Sequence, residues 1–111
     1  MAEQYDVAII GAGPGGYVAA IRAAQLGFKT VCIDKHIALG GTCLNVGCIP
    51  SKTLLQGTEL LFHLQHQGKE QGIECAGLHL SFSTLMERKK KVVKGLNEGI
   101  FTLFRQHEIT S

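Results

Sequence analysis

Apolar positions along this chain follow two rhythms. Near the start, "YDVAII" (5–10) and "KTVCID" (29–34) are short apolar runs rich in β-branched residues, and both read as buried strands. Between them "GYVAAIRAAQLG" is alanine-rich, carries the single basic residue Arg22, and ends at Gly27, as a helix closed by a glycine does. Strand, tight turn, helix and strand make a βαβ unit, which predicts parallel strands and a right-handed crossover. Beyond it the spacing turns helical. A helix with a disturbed start is predicted from Thr42 to about Gln67, carrying Leu54, Leu55, Leu60, Leu61, Phe62 and Leu64, with Gly68 and Gly72 marking its end. "IECAGLHLSF" (73–82) fits a short strand or an extended loop. A long amphipathic helix is predicted over 83–108, with Ser83 as N-cap and Glu87 near a capping-box position. Leu85, Val92, Leu96, Ile100, Leu103 and Phe104 fall three, four or seven apart and define its apolar face. "IT" (109–110) begins another strand.

Composition narrows the class. The 111 residues suffice for one small domain with one core. Eleven basic and nine acidic side chains leave a net charge of +2, which does not point to nucleic acid. The "RKKK" run (88–91) lies largely opposite the apolar face of its helix and reads as a solvated surface. No window approaches the roughly 18 apolar residues of a membrane span. The start lacks the basic flank of a secretory signal, so a reducing, cytoplasmic setting is the expectation. The mitochondrial matrix is the alternative, should a presequence have been removed.

The 14 glycines cluster, and the first cluster carries chemistry. Gly11-x-Gly13-x-x-Gly16 stands between a predicted strand and a predicted helix. The first glycine permits the tight turn, the second lets backbone approach a pyrophosphate, and the third lets helix and strand pack closely. The helix start offers free N–H groups and partial positive charge to phosphates. Asp34 ends the second strand near the roughly 20-residue spacing at which an acidic side chain meets an adenosine ribose. Gly11, Gly13, Pro14, Gly15, Gly16, Asp34 and Lys35 are therefore candidate dinucleotide-binding residues. The turn alone does not separate NAD from FAD.

The second cluster surrounds "GTCLNVGCIPSK" (41–52). Cys43 and Cys48 are five positions apart. In a regular helix that spacing separates two residues by about 7.5 Å along the axis and about 140° around it. A relaxed disulfide needs Cα atoms roughly 4.4–6.8 Å apart. Bonded cysteines here would therefore require a break in the helix. Gly47 tolerates unusual dihedrals, Pro50 restricts Ile49, and Asn45 tolerates left-handed geometry. Three readings compete: a structural staple, half of a zinc site, or a reactive pair. Zinc sites usually join two ligand pairs, whereas Cys32 and Cys75 are isolated and His63 and His66 read as wet-side residues. A structural staple is unexpected without an export signal. A helix N-terminus and nearby Lys52 would both favour a thiolate. A redox-active dithiol is the reading these residues favour. Cys32, in an apolar strand, reads as core. Dithiol oxidation releases two electrons, which a flavin accepts and passes to a nicotinamide. FAD would then lie extended, with adenosine near Asp34, pyrophosphate over the glycine turn and the ring system near the cysteines.

"DVAIIGAGPGGYVAAIRAAQLG" together with "LGGTCLNVGCIPSKTLL" resembles the start of the FAD-dependent pyridine nucleotide-disulfide oxidoreductases, strongly over about 5–57 and more weakly to the end. Ile49, Ser51 and Lys52 lean toward the branch that oxidises dihydrolipoamide; glutathione reductases typically carry lysine where Ser51 stands. The resemblance implies a partial Rossmann-like α/β FAD-binding domain. It implies that Cys43 is the interchange thiol and that Cys48 lies against the flavin. Lys52 would approach the ring, and Gly41 and Thr42 would line the cofactor. Asp34 stands where the family usually has glutamate, one methylene longer. The implied reaction is oxidation of protein-bound dihydrolipoamide, with electrons passing through the cysteines and FAD to NAD. The implied partners are lipoyl domains of 2-oxo acid dehydrogenase complexes and a second subunit of a homodimer. Family members are several hundred residues long, so 1–111 corresponds to the first part of the FAD domain. None of His36, His63, His66, His79 and His107 matches the family's catalytic histidine motif, so no turnover is expected from this chain alone. The other readings are a different reductase of this family, acting on glutathione-like disulfides or metal ions, and a non-catalytic nucleotide-binding fragment.

Overall fold

The computed structural model describes residues 2–111. Strands β1 (Val7–Ile10) and β2 (Thr30–Ile33) pair in parallel, with Val7 opposite Thr30 and Ile10 opposite Ile33. Helix α1 (Pro14–Gln25) connects them. It starts with proline in its first turn, where a missing N–H costs nothing, and ends at Leu26 with Gly27 in left-handed geometry at φ +89°. The βαβ unit read from the sequence is present. A single backbone bridge joins Val31 to Thr110, in parallel, where "IT" suggested a strand.

One expectation for the strands is corrected. Both read as buried runs, yet Ile10 is 88% and Ile33 51% exposed. Side chains of a strand alternate between faces, and only one face is covered here. On that face Ile9, Cys32 and Ala12 join Ala20, Leu39, Leu44, Ile100, Phe104 and Ile109 in one core. Phe104 is its largest fully buried side chain, a burial of about 1.5–3 kcal/mol.

The helix expected from Thr42 is two helices. Helix α2 (Gly41–Asn45) stops at Val46, and α3 (Cys48–Gln67) restarts after Gly47, whose φ of −119° and ψ of −107° break the path. After α3 a short 3-10 turn (Lys69–Gln71) leads into loop, so 73–82 forms no strand among the described residues. Helix α4 (Phe82–Gln106) starts one residue before the predicted Ser83. Ser81 is the N-cap instead: its side chain accepts the Thr84 N–H, so Glu87 is too far along to close a capping box.

Helices α3 and α4 pack side by side and draw the molecule out to 67 × 25 × 19 Å. On α3 Pro50 and Thr53 are buried and Leu54, Gly57, Leu61 and Leu64 half-buried, while Leu55, Leu60 and Phe62 stay exposed. Leu85 of α4 rests on Gly57, where an added Cβ would lie 2.7 Å from its Cδ1. The apolar face of α4 is also rotated from its predicted position. Leu85, Ile100 and Phe104 are buried, but Leu96 and Leu103 are exposed, and Asn97 and Phe101 turn inward. Among the described residues no helix is long and apolar enough to cross a membrane.

Candidate functional site

The site begins where β1 ends. Gly11 takes φ +98° and donates its N–H to the Ile33 carbonyl at 2.7 Å, which ties the turn to the end of β2. Gly16 packs so tightly on Gly11 that an added Cβ would collide with the Gly11 carbonyl. The helix–strand contact expected of the third glycine is thus present. Gly13 caps α1 without a side-chain hydrogen bond, and the first turn of α1 holds no acidic residue. The first N–H groups of any helix lack intrahelical partners, so this end carries partial positive charge. Pro14 and Gly15 are exposed there.

A second glycine turn faces the first. Gly40 and Gly41 take φ +101° and +62°, and Gly40 donates its N–H to the Ala12 carbonyl at 2.8 Å. An added Cβ on Gly41 would stand 2.6 Å from the Gly13 Cα. The two turns therefore touch backbone to backbone. The left-handed residues are the N-cap and first residue of α2; Asn45, read as tolerant of that geometry, is the last residue of the helix instead.

Asp34 reaches back into this junction. Its carboxylate accepts the Ala12 N–H at 2.7 Å and the His36 N–H at 2.8 Å. These amides, Ala12 first, hold its pKa below the ordinary carboxylate value, while partial burial opposes them. Cys32, immediately beneath, is buried, and its thiol pKa is raised by that burial and secondarily by the Asp34 charge. It is core, as the sequence suggested.

A groove of about 550 Å³ runs along Ile10, Gly11, Ile33, Asp34, Lys35, His36, Gly41 and Thr42. Five predicted site residues meet there: Gly11, Asp34, Lys35, Gly41 and Thr42. A smaller groove of about 280 Å³ shares Gly41 and Thr42 and continues past Asn45 and Val46. It thereby runs from the glycine turn to the segment between the cysteines. Lys52 lies outside both grooves, exposed on α3 one turn after Cys48.

Cys43 and Cys48 are joined by a disulfide, with Cα atoms 4.6 Å apart. The break at Val46 and Gly47 is what makes that distance attainable. Cys43 is half-buried inside α2; Cys48 is exposed as the first residue of α3. Two other candidate ligands are occupied locally: His63 pairs with Gln67, and His66 with the Phe62 carbonyl.

A family model described as "Pyridine nucleotide-disulphide oxidoreductase" matches residues 5–111. The chain belongs to that family. Among curated relatives, the mitochondrial dihydrolipoyl dehydrogenase of Mesocricetus auratus is 57% identical over 107 residues, covering 94% of this chain and 22% of the relative. The enzyme of that name from Schizosaccharomyces pombe is 50% identical over 106 residues, covering 96% and 21%. That of Pisum sativum is 50% identical over 108 residues, covering 97% and 22%. The chain thus spans about a fifth of the length of these curated relatives.

Sequence reasoning missed three residues of the site. His36 lines both grooves and donates its amide to Asp34. Asn45, which lies between the two cysteines in sequence, forms a side-chain amide pair with Asn97. No local pattern marked Asn97, since the apolar spacing placed Leu96 on the inner face.

Proposed function

We propose that this chain is the FAD-binding, redox-disulfide segment of a dihydrolipoyl dehydrogenase-type flavoprotein. The observation that carries the reading is the Cys43–Cys48 disulfide at a helix break, with Cys43 next in sequence to Thr42, which lines both grooves, although neither cysteine lines them itself. The identity to dihydrolipoyl dehydrogenases supports the substrate branch.

The residues fit an extended dinucleotide. Gly11, Gly13, Gly15 and Gly16 leave the α1 start bare of side chains, Pro14 excepted, and nothing lies within 4 Å of a Cβ built on Gly15. Phosphates would meet the helix N-terminus with no acidic side chain in its first turn to repel them. Asp34, with Lys35 beside it, would take the ribose. Each carboxylate oxygen accepts one amide, and a carboxylate has about four acceptor positions, so two stay free for hydroxyls. The shorter acid thus holds the turn and retains its acceptor role. Gly41 and Thr42 would line the path toward the ring, and Lys52 would set charge near it. FAD, when bound, supplies a two-electron acceptor between dithiol and nicotinamide.

The chain's own chemistry is thiol–disulfide exchange. A substrate thiolate attacks the Cys43 Sγ, the Cys43–Cys48 bond breaks, and Cys48 leaves as thiolate. The second substrate thiolate then attacks the substrate sulfur of the mixed disulfide and expels the Cys43 thiolate. The substrate leaves oxidised, and the two cysteines hold the electron pair. The start of α3 stabilises the Cys48 thiolate. Lipoyl groups of 2-oxo acid dehydrogenase complexes are the proposed thiol donors, NAD the final acceptor, and a homodimer the working form. The relatives are mitochondrial proteins, which favours the mitochondrial over the cytoplasmic alternative. The 111 residues alone are expected to give no lipoamide-dependent turnover.

The test is the visible spectrum and substrate panel of the complete gene product. A yellow protein that reduces NAD with dihydrolipoamide, and loses this with Cys43→Ser, is expected. A colourless protein, or one that prefers glutathione-like disulfides, would overturn the branch.

A further inference from the structure

We infer that Asn97, in the middle of α4, is a positioning residue for the redox disulfide and acts through Asn45. Its Nδ2 donates to the Leu39 carbonyl at 2.8 Å and to the Asn45 Oδ1 at 2.9 Å. The Asn45 Nδ2 in turn donates to the same Leu39 carbonyl at 3.0 Å and to the Gly41 carbonyl at 2.9 Å. Asn45 lies between the two cysteines in sequence, and Gly41 is the residue wedged against Gly13. Two amides thus lash a distant helix to the segment that carries Cys43.

The network is directional. Asn45 accepts through oxygen and donates through nitrogen, so a donor at position 97 and the carbonyls of Leu39 and Gly41 together fix its orientation. Both amides are half-buried, where lost partners are costly. The disulfide benefits from this support because the helical ladder ends with the Val46 N–H on the Thr42 carbonyl at 3.0 Å, breaks at Gly47, and resumes only with the Ser51 N–H on the Gly47 carbonyl. An intramolecular disulfide is favoured by the effective concentration of its two thiols. Loosening one thiol's anchor lowers that concentration and shifts the couple toward the dithiol. This inference rests on the redox reading of the pair.

Asn97→Asp is the test, because it keeps the shape and inverts the polarity. A carboxylate at 97 repels the Leu39 carbonyl and the Asn45 oxygen. Asn45 must then turn its Nδ2 toward position 97 and give up Gly41. The complete flavoprotein, wild type and variant, is equilibrated in dithiothreitol redox buffers, and the fraction of Cys43 and Cys48 open to alkylation is measured. The disulfide of the variant is expected to be about tenfold easier to reduce, a rise of about 30 mV. Asn97→Leu, which removes both donors without adding charge, is expected to move the same way. Asn97→Gln, one methylene longer but still a donor, should recover part of the shift. Unchanged redox equilibria in both the aspartate and the leucine variants, even with a lower melting temperature, would make Asn97 merely structural and overturn the inference. If a variant does not fold, Asn45→Asp tests the same link, since it keeps the acceptor for Asn97 and loses both donations. Failure of the parent reading looks different: the wild-type pair would then not exchange with dithiothreitol, or its reduction would leave the flavin spectrum unchanged.

Discussion

The two turns that meet at Gly13 and Gly41 share a need for glycine but are held by different means. The first, from Gly11 to Gly16, is shaped by what is missing: the Gly11 carbonyl occupies the place a Gly16 side chain would need. The second, from Leu39 to Cys48, also needs bare glycines at Gly40 and Gly41, and adds side-chain ties to them. Asn45 and Asn97 supply four hydrogen bonds to hold a stretch whose backbone is irregular. The steric demand falls on Gly16, and on Gly11 through its φ, while Gly15 stands open. A turn tied by side chains depends on a residue more than 50 positions away, as the Asn45–Asn97 separation of 52 shows.

That contrast can be broken by mutation. Gly16→Val should be the most damaging, since backbone cannot yield as a side chain does; about 4 kcal/mol or more is expected, read as loss of a cooperative melt. Opening the second turn with Cys43→Ser should cost less. The loop closed by the bond is short, so about 2 kcal/mol is expected from denaturant titration under oxidising conditions, with the fold retained. The junction itself is probed by pH. The Asp34 pKa is lowered in the fold, so its contribution to stability is present above the unfolded carboxylate pKa of about 3.9 and is lost as pH falls through the folded value. Asp34→Asn should therefore flatten the acid limb of a stability–pH curve below about pH 4, with little change in its slope near neutrality. The smallest effect is expected far from both turns. Ser81→Ala removes a long 3.4 Å cap at the start of α4 and should cost about 0.5–1 kcal/mol, without altering the reducibility of the disulfide.

The steric turn was legible in the sequence because its rule is local: glycine spacing, a strand before and a helix after. The disulfide was half legible. Five-residue spacing demanded a break, and Gly47 supplied it. The amide network was not legible, because nothing near Asn45 names its partner, and Asn97 sits among lysines and glycines whose pattern placed Leu96 on the inner face. Leu96 is 46% exposed and Asn97 turns inward, a rotation that the hydrogen bonds to Leu39 and Asn45 explain. The exposed sheet face was missed for a related reason. An apolar run says that a strand avoids water, but not whether this stretch of polypeptide supplies the cover.

The bridge between Val31 and Thr110 has a topological consequence. Cys32 donates its amide to the Thr110 carbonyl and Tyr5 its hydroxyl to the Thr110 side chain, so the polypeptide leaves the sheet at β2 and comes home beside it. Everything between is an excursion whose two feet stand together while its tip, around Gly72 and Gly77, hangs free. Lengthening, shortening or nicking that tip would change the reach of the excursion and leave its footing, and the sulfur pair at its root, where they are.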